Sequence, residues 1–224
     1  MNSKLTDMKH RFIAIEGPIG VGKTTLAKKL ASCFDAEFLS DTELANPYLK
    51  AFYRDPKSVA LHTQMHFLVS RLAVLDAGRL ASVSGNDDNR KPVVADFLID
   101  KDRLFAELTL DEHEWWMYNK LTEKLVQGLP QPDLVIYLQA PLERLIERIE
   151  RRGLRHEQRI DSHYLQQVIG LYERHFHSYN SSPLLIVNAD EINLADSTDD
   201  VAHLAERIGE LPGGRHYYNP VAAA

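Results

Sequence analysis

The stretch that most constrains this chain is residues 17–24, Gly-Pro-Ile-Gly-Val-Gly-Lys-Thr, set between an apolar run, Phe12-Ile13-Ala14-Ile15, and a helical segment from about Lys23 to Phe34. A strand that enters a helix through such a turn needs backbone conformations closed to most residues, and Gly17, Gly20 and Gly22 supply them. With no Cβ in the way, successive N–H groups converge on an anion, and the helix N-terminus adds its own unpaired donors. Lys23 is placed to reach the β- and γ-phosphates as a point charge, and the Thr24 hydroxyl to ligate Mg²⁺. Gly17, Pro18, Ile19, Gly20, Val21, Gly22, Lys23, Thr24 and Thr25 are therefore the expected nucleoside triphosphate site, with Thr24 its metal ligand.

Five short runs, 12–16, 37–40, 92–95, 133–138 and 184–188, are apolar on consecutive positions. Strands of that kind are covered on both faces, as in a parallel sheet between helices. The expected fold is α/β, a three-layer P-loop architecture with a five-stranded parallel sheet. Helices are expected over Pro56 to about Ser82, Asp111 to Gln127, Pro141 to Arg152 and Ser162 to Tyr179. In the first, Leu61, Met65, Leu68, Leu72 and Leu75 form one stripe suited to core packing or to a second subunit. Residues 1–212 read as a single domain and 213–224, which lack periodicity, as a flexible tail.

The chain of 224 residues has a formal net charge of −6, which argues against an extended nucleic-acid or anionic-membrane surface. Cys33, the one cysteine, excludes an internal disulfide and fits a reducing compartment. Met1 to Arg11 is polar and no run of about 18 apolar residues is present, so a cytoplasmic location is expected.

A phosphate loop names what is bound, not what receives the phosphoryl group. In open parallel sheets ligands bind at the carboxyl ends of strands, where Asp41 and Asp96 fall. Either carboxylate suits a hydroxyl proton or a metal-bound water, and either also suits a loop or helix-cap aspartate. Arginines 144, 148, 151, 152, 155 and 159 alternate with glutamates 143, 147, 150 and 157. They form either a solvated helix with i,i+4 ion pairs or a lid, at about 148–160, whose guanidinium groups close over a phosphoryl group about a hinge at Gly153. His62 and His66 lack a third metal ligand at suitable spacing.

Asn46-Pro47-Tyr48-Leu49, Phe52-Tyr53-Arg54-Asp55-Pro56, and Gln64 with Arg71 resemble the nucleoside-binding segment of the deoxyribonucleoside kinases, particularly the bacterial deoxyguanosine/deoxyadenosine type. Phe97-Leu98-Ile99-Asp100-Lys101-Asp102-Arg103-Leu104-Phe105-Ala106 and Arg148-Ile149-Glu150-Arg151-Arg152-Gly153 are similar to further elements of that family. The likeness runs from Phe12 to about Asn188.

The resemblance implies ATP as donor, Mg²⁺, phosphorylation of a deoxynucleoside 5′-hydroxyl, and a homodimer through the long helices. It places Asp41, with Glu43 as competitor, near the 5′-hydroxyl and makes Asp96 the general base. Lys23, Arg148 and Arg152 complete the catalytic set. Tyr53 and Glu157 match positions that hold the sugar 3′-hydroxyl. Gln64 matches the residue that pairs with the base edge, and Arg71 its polar neighbour, with Asp100 or Asp102 as partner. A neutral amide at Gln64 offers a donor and an acceptor side by side, which accommodates guanine, adenine or cytosine. One departure stands out: Phe97 and Leu98 replace the Arg-Ser that follows the acidic residue in the family, so Arg148, Arg152 or Arg103 is left to supply that charge. Two rivals share the loop, a thymidylate-type monophosphate kinase and a regulatory ATPase that turns over NTP without an acceptor.

Overall fold

In a computed structural model the described residues are 9–41, 46–75, 91–154, 157, 160–190, 192 and 197–219. The elements in order are β1 (Phe12–Glu16), α1 (Lys23–Cys33), β2 (Glu37–Leu39), α2 (Leu49–Phe52), α3 (Pro56–Val74), β3 (Val93–Ala95), α4 (Asp100–Thr109), α5 (Glu112–Leu125), β4 (Leu134–Gln139), α6 (Leu142–Arg152), α7 (Ser162–Ser178), β5 (Leu184–Asn188), α8 (Thr198–Glu210) and β6 (Arg215–Tyr218). The strands form one sheet in the order β2-β3-β1-β4-β5-β6, and every pairing is parallel.

Alternate strand residues face opposite layers, which is why the central strands are apolar on consecutive positions. Ile13, Ile15, Ile136 and Leu138 pack with Leu26 and Leu30 of α1, Leu145 and Ile149 of α6, and Leu204 and Ile208 of α8. Ala14, Val135 and Tyr137 pack with Leu104 of α4 and Val168, Tyr172 and Phe176 of α7. Cys33 lies partly buried against the first of these cores. Leu68, the centre of the α3 stripe, is buried against Ala106 of α4 and Tyr118 of α5, with Leu61, Met65 and Leu72 partly buried beside it.

The sheet has six strands where five are expected from the sequence. β6 falls in residues read as a flexible tail, so the ordered domain extends past residue 212 to at least Tyr218. Its four residues carry no apolar run; the strand exists because it pairs with β5, from Leu184↔Arg215 to Val187↔Tyr218. Arg215 also donates to the carbonyls of Phe176, His177 and Tyr179 at 2.8, 3.1 and 3.0 Å, fixing the edge to the end of α7.

Helices α2, α4 and α8 likewise have no counterpart among the expected ones. α3 starts at Pro56 as expected and is described to Val74; residues 76–90, which include the rest of that expected helix, lie outside the described residues. α5 starts where Asp111 accepts from the Glu114 N–H at 2.9 Å while Glu114 accepts from the Asp111 N–H at 3.2 Å, a reciprocal cap. α6 stops at Gly153, whose φ of 69° lies in the left-handed region. Among the described residues no helix is long and apolar enough to cross a membrane.

β1 has β3 on one side and β4 on the other, so the strand order reverses there. Loops leaving the carboxyl ends of β1, β2 and β3 thus share one crevice, the usual ligand position in such sheets.

Candidate active site

The donor side is built on the turn after β1. Gly17 has φ of 152°, and a Cβ there would sit 2.5 Å from the Leu138 carbonyl oxygen; at Gly20, φ 85°, it would meet the Leu145 carbonyl oxygen at 2.9 Å. No other residue fits either position without moving backbone. Gly22, also left-handed, opens α1. Val21 is fully buried, Ile19 packs against the core, and Thr25 is exposed on the first turn.

The ammonium of Lys23 donates to the carbonyls of Gly17 at 2.6 Å and Pro18 at 3.1 Å, and so curls over its own loop. Burial, and after it the positive charge of Lys101, pulls its pKa down to about 8, against the opposing pull of Glu16, Asp41 and Asp96. Glu16, 1% exposed, accepts from the N–H groups of Gly17 at 2.8 Å and Leu98 at 3.0 Å and from the Tyr172 hydroxyl at 2.9 Å. This buried carboxylate ties the start of the phosphate loop to the segment after β3.

Asp96 closes β3 and is 1% exposed. Its Oδ2 accepts from the hydroxyls of Thr24 at 2.6 Å and Ser40 at 2.9 Å, and Oδ1 from the Asp41 N–H at 3.2 Å. A hydroxyl and a carboxylate oxygen side by side at the mouth of the loop suit Mg²⁺, a hard cation that takes oxygen ligands and keeps the rest of its shell for water and phosphate.

Asp41 marks the acceptor side. Its Oδ2 accepts from Arg71, at 3.0 Å from Nε and 2.6 Å from Nη2, and from Lys101 at 3.3 Å. Burial works to raise its pKa, but Lys101, Arg71 and then Lys23 overcome it and hold the carboxyl well below the ordinary carboxylate range. Its Oδ1 has no protein partner among the described residues. Glu43, the competitor for this place, lies outside the described residues.

Beyond Asp41 the pocket is a buried polar set. Arg71, 3% exposed, passes its Nη1 to Asp102, and its guanidinium lies 4.9 Å from the Phe67 ring centroid. Asp102 Oδ2 is buried without a hydrogen-bond partner, a costly state that a ligand N–H would relieve. Gln64, 2% exposed, donates to the Thr109 hydroxyl at 3.1 Å. Of the two aspartates expected beside Arg71, Asp102 holds the position. Asp100, placed in the nucleoside set from the sequence, has its carboxylate 3.9 Å from His175 of α7 instead. The register of α4 explains the exchange: its first turn carries both residues, but only Asp102 is on the buried side facing α3.

Tyr53 follows α2 and faces Glu157: burial first, then the Glu157 charge, pushes its phenol above the ordinary range, with Arg152 opposing. Arg152 donates to Glu157, so Tyr53, Arg152 and Glu157 form one cluster. Arg148 donates to the carbonyls of Val21 at 3.1 Å and Ala189 at 2.8 Å, bridging the phosphate loop and the end of β5. Arg103 lies 5.9 Å over the Trp115 ring on α5. Arg155 and Arg159 lie outside the described residues. His62 and His66 pack their rings on Tyr48, at 5.4 and 6.3 Å.

Lys101, Glu16, Ser40 and Tyr172 are absent from the sequence-derived site. Lys101 stands within the Phe97-to-Ala106 segment, and Glu16 immediately precedes the first loop glycine; those positions were the only signals available.

A loop that grips polyphosphate, joined through Asp96 and Asp41 to a buried amide and carboxylate pocket, defines a phosphotransferase for a small polar acceptor. The deoxynucleoside kinase family model matches residues 13–211, and the chain belongs to that family. It is 36% identical over 207 residues to deoxyguanosine kinase of Bacillus subtilis (strain 168), covering 89% of this chain and 97% of that protein. With the deoxyadenosine/deoxycytidine kinase of the same organism the identity is 27% over 214 residues, covering 91% and 94%. The structure of M. mycoides deoxyadenosine kinase with products dCMP and a flexible dCDP bound shares the fold, with a TM-score of 0.74, 21% identity, and 89% and 100% of the two chains covered. The chain is thus a kinase of deoxynucleosides, which sets aside the thymidylate-type and regulatory alternatives.

Proposed function

We propose that the chain transfers the γ-phosphoryl group of ATP to the 5′-hydroxyl of a purine deoxyribonucleoside, deoxyguanosine first. The observation that carries this reading is one unbroken chain of contacts, Thr24 to Asp96, Asp96 to Asp41, Asp41 to Arg71 and Arg71 to Asp102. It runs from the phosphate loop to the base pocket. Arg71 presents donors suited to the O6 and N7 acceptors of guanine, and the unpaired Asp102 oxygen and Gln64 complete the edge. The 36% identity to a deoxyguanosine kinase supports guanine over adenine.

Lys23 exchanges the carbonyls of Gly17 and Pro18 for phosphate oxygens. Thr24 and Asp96 are the residues that would hold Mg²⁺, which supplies neutralisation of the polyphosphate charge. Asp96 already accepts from Thr24, Ser40 and the Asp41 N–H, so Asp41, whose Oδ1 has no partner among the described residues, is the freer carboxylate to receive the hydroxyl proton, although the resemblance assigns that role to Asp96. The bond from the γ-phosphorus to ADP breaks as the bond to the 5′-oxygen forms, and the proton passes to the carboxylate. Because the transition state is loose, a weak base suffices and positioning dominates. Tyr53 and Glu157 hold the sugar 3′-hydroxyl, with Arg152 fixing Glu157, while Arg148 stands at the phosphate loop on the donor side.

The enzyme acts as a homodimer in the cytoplasm. A lone thiol fits a reducing compartment. For the dimer, α5 exposes Met117, Leu121 and Leu125 at 42, 44 and 44% along one stripe, beside Trp116 at 65%, and Val69 of the adjacent α3 is 54% exposed.

The test is ADP release from the purified chain with ATP, Mg²⁺ and a panel of deoxynucleosides and their monophosphates. Deoxyguanosine should give the highest kcat/KM, followed by deoxyadenosine. Turnover confined to monophosphates, or equal turnover without acceptor, overturns the reading.

A further inference from the structure

The residue after Asp96 is Phe97, 1% exposed and packed with Leu39, Val93 and Ala95, so no cation reaches the acceptor from that position. The nearby arginines are engaged elsewhere. Arg71 is shared between Asp41 and Asp102, Arg148 binds two backbone carbonyls, Arg152 binds Glu157 and Arg103 covers Trp115. Lys101 differs from all of these. It sits in the first turn of α4 with its side chain 13% exposed, and among the described residues its ammonium has one partner, Asp41 Oδ2 at 3.3 Å. An ammonium has three N–H donors, so two remain. Its contact with Asp41, whose N–H donates to Asp96, puts it on the acceptor side of the Thr24–Asp96 pair, and its charge is felt by both Lys23 and Asp41.

Resting on the kinase reading above, we propose that Lys101 is the acceptor-side cation of the reaction: one N–H holds Asp41 while the other two contact oxygens of the phosphoryl group in transit. Lys23 grips those oxygens from the donor side. Lys101 then meets the charge where it arrives, without forming or breaking a covalent bond.

The experiment compares wild type, Lys101→Gln, Lys101→Arg, Asp41→Asn and the double variant Asp41→Asn/Lys101→Gln. Readouts are kcat and KM for deoxyguanosine, its equilibrium Kd, and the thermal midpoint. Lys101→Gln should lower kcat about 100-fold, the usual cost of one lost charge-stabilising donor. Its nucleoside Kd and midpoint should stay near wild type, and Lys101→Arg should recover most of kcat. The same large loss should persist when Lys101→Gln is added to Asp41→Asn. The proposal is overturned if Lys101→Gln keeps wild-type kcat, if its defect is in nucleoside Kd alone, or if it costs nothing in the Asp41→Asn background, since Lys101 would then act only by holding that carboxylate. Wild type inactive toward every deoxynucleoside would instead sink the kinase reading.

Discussion

Lys23 carries a pH dependence that can be worked through from its surroundings. With no nucleotide bound its pKa lies at about 8, lowered by burial and by Lys101. The bound triphosphate needs the ammonium form and raises that pKa well above its free value, so binding ATP must take up a proton wherever free Lys23 has lost one. The protonated fraction of the free enzyme falls from about 0.9 at pH 7 to about 0.03 at pH 9.5, so ATP affinity should fall roughly 30-fold, about 2 kcal/mol. With Mg²⁺ saturating, the ATP phosphates are ionised across that window, so Lys23 is the group whose proton count changes. Titration calorimetry in two buffers of different ionisation enthalpy reads both quantities, and uptake should rise from near zero at about pH 7 toward one proton at about pH 9.5. A Lys23→Arg variant, whose guanidinium keeps its charge, should lose the dependence whatever its absolute affinity. Flat wild-type affinity with no proton uptake would refute the burial argument. The same shift acts on folding with a definite sign. Below about pH 8 both folded and unfolded Lys23 are protonated and the cost of burying the charge is present in full. Between about pH 8 and pH 10 the unfolded chain binds more protons, so this residue's contribution shifts toward greater stability as pH rises.

Arg71→Leu removes the guanidinium shared by two buried carboxylates, with Asp102 at 1% side-chain exposure, and should cost about 3–5 kcal/mol in urea unfolding at neutral pH; a loss under about 1 kcal/mol would mean that the ion pairs do not hold the pocket. Leu121→Lys with Leu125→Lys, both on the exposed face of α5, should convert a dimer to a folded monomer in sedimentation velocity with little change in thermal midpoint. A wild-type chain that sediments as a monomer would end the dimer proposal.

Elements that stabilise themselves locally were legible in the sequence. The runs at 12–16 and 184–188 are apolar on their first four positions, all buried, and both became strands with those bounds. β6 was hidden because nothing local marks it: Arg215, His216, Tyr217 and Tyr218 are ordered by pairing with β5 and by carbonyls at the end of α7. The adjacent tryptophans divide as adjacent helical positions must, with Trp115 stacked on Tyr118 and Trp116 exposed. Tyr53 and Gln64, both assigned to the nucleoside by the resemblance, come from different elements, Tyr53 following α2 and Gln64 lying in α3.

The same distinction explains the site. The donor half is contiguous, eight residues whose glycines and lysine state their purpose in order, and it could be read directly. The acceptor half is assembled from β2, α3, β3 and α4, whose contacts span 30 residues from Arg71 to Asp41, 55 from Asp41 to Asp96 and 60 from Lys101 to Asp41. In the sequence, Asp100-Lys101-Asp102-Arg103 is a mixed-charge start to a helix, and any of the four suits solvent. Only the parallel crossovers decide that Asp102 turns inward to Arg71, that Asp100 turns to His175, and that Lys101 meets Asp41. The charge at the reacting end is therefore a property of sheet order, and a shift of α4 by one residue would exchange these partners while leaving the phosphate loop intact.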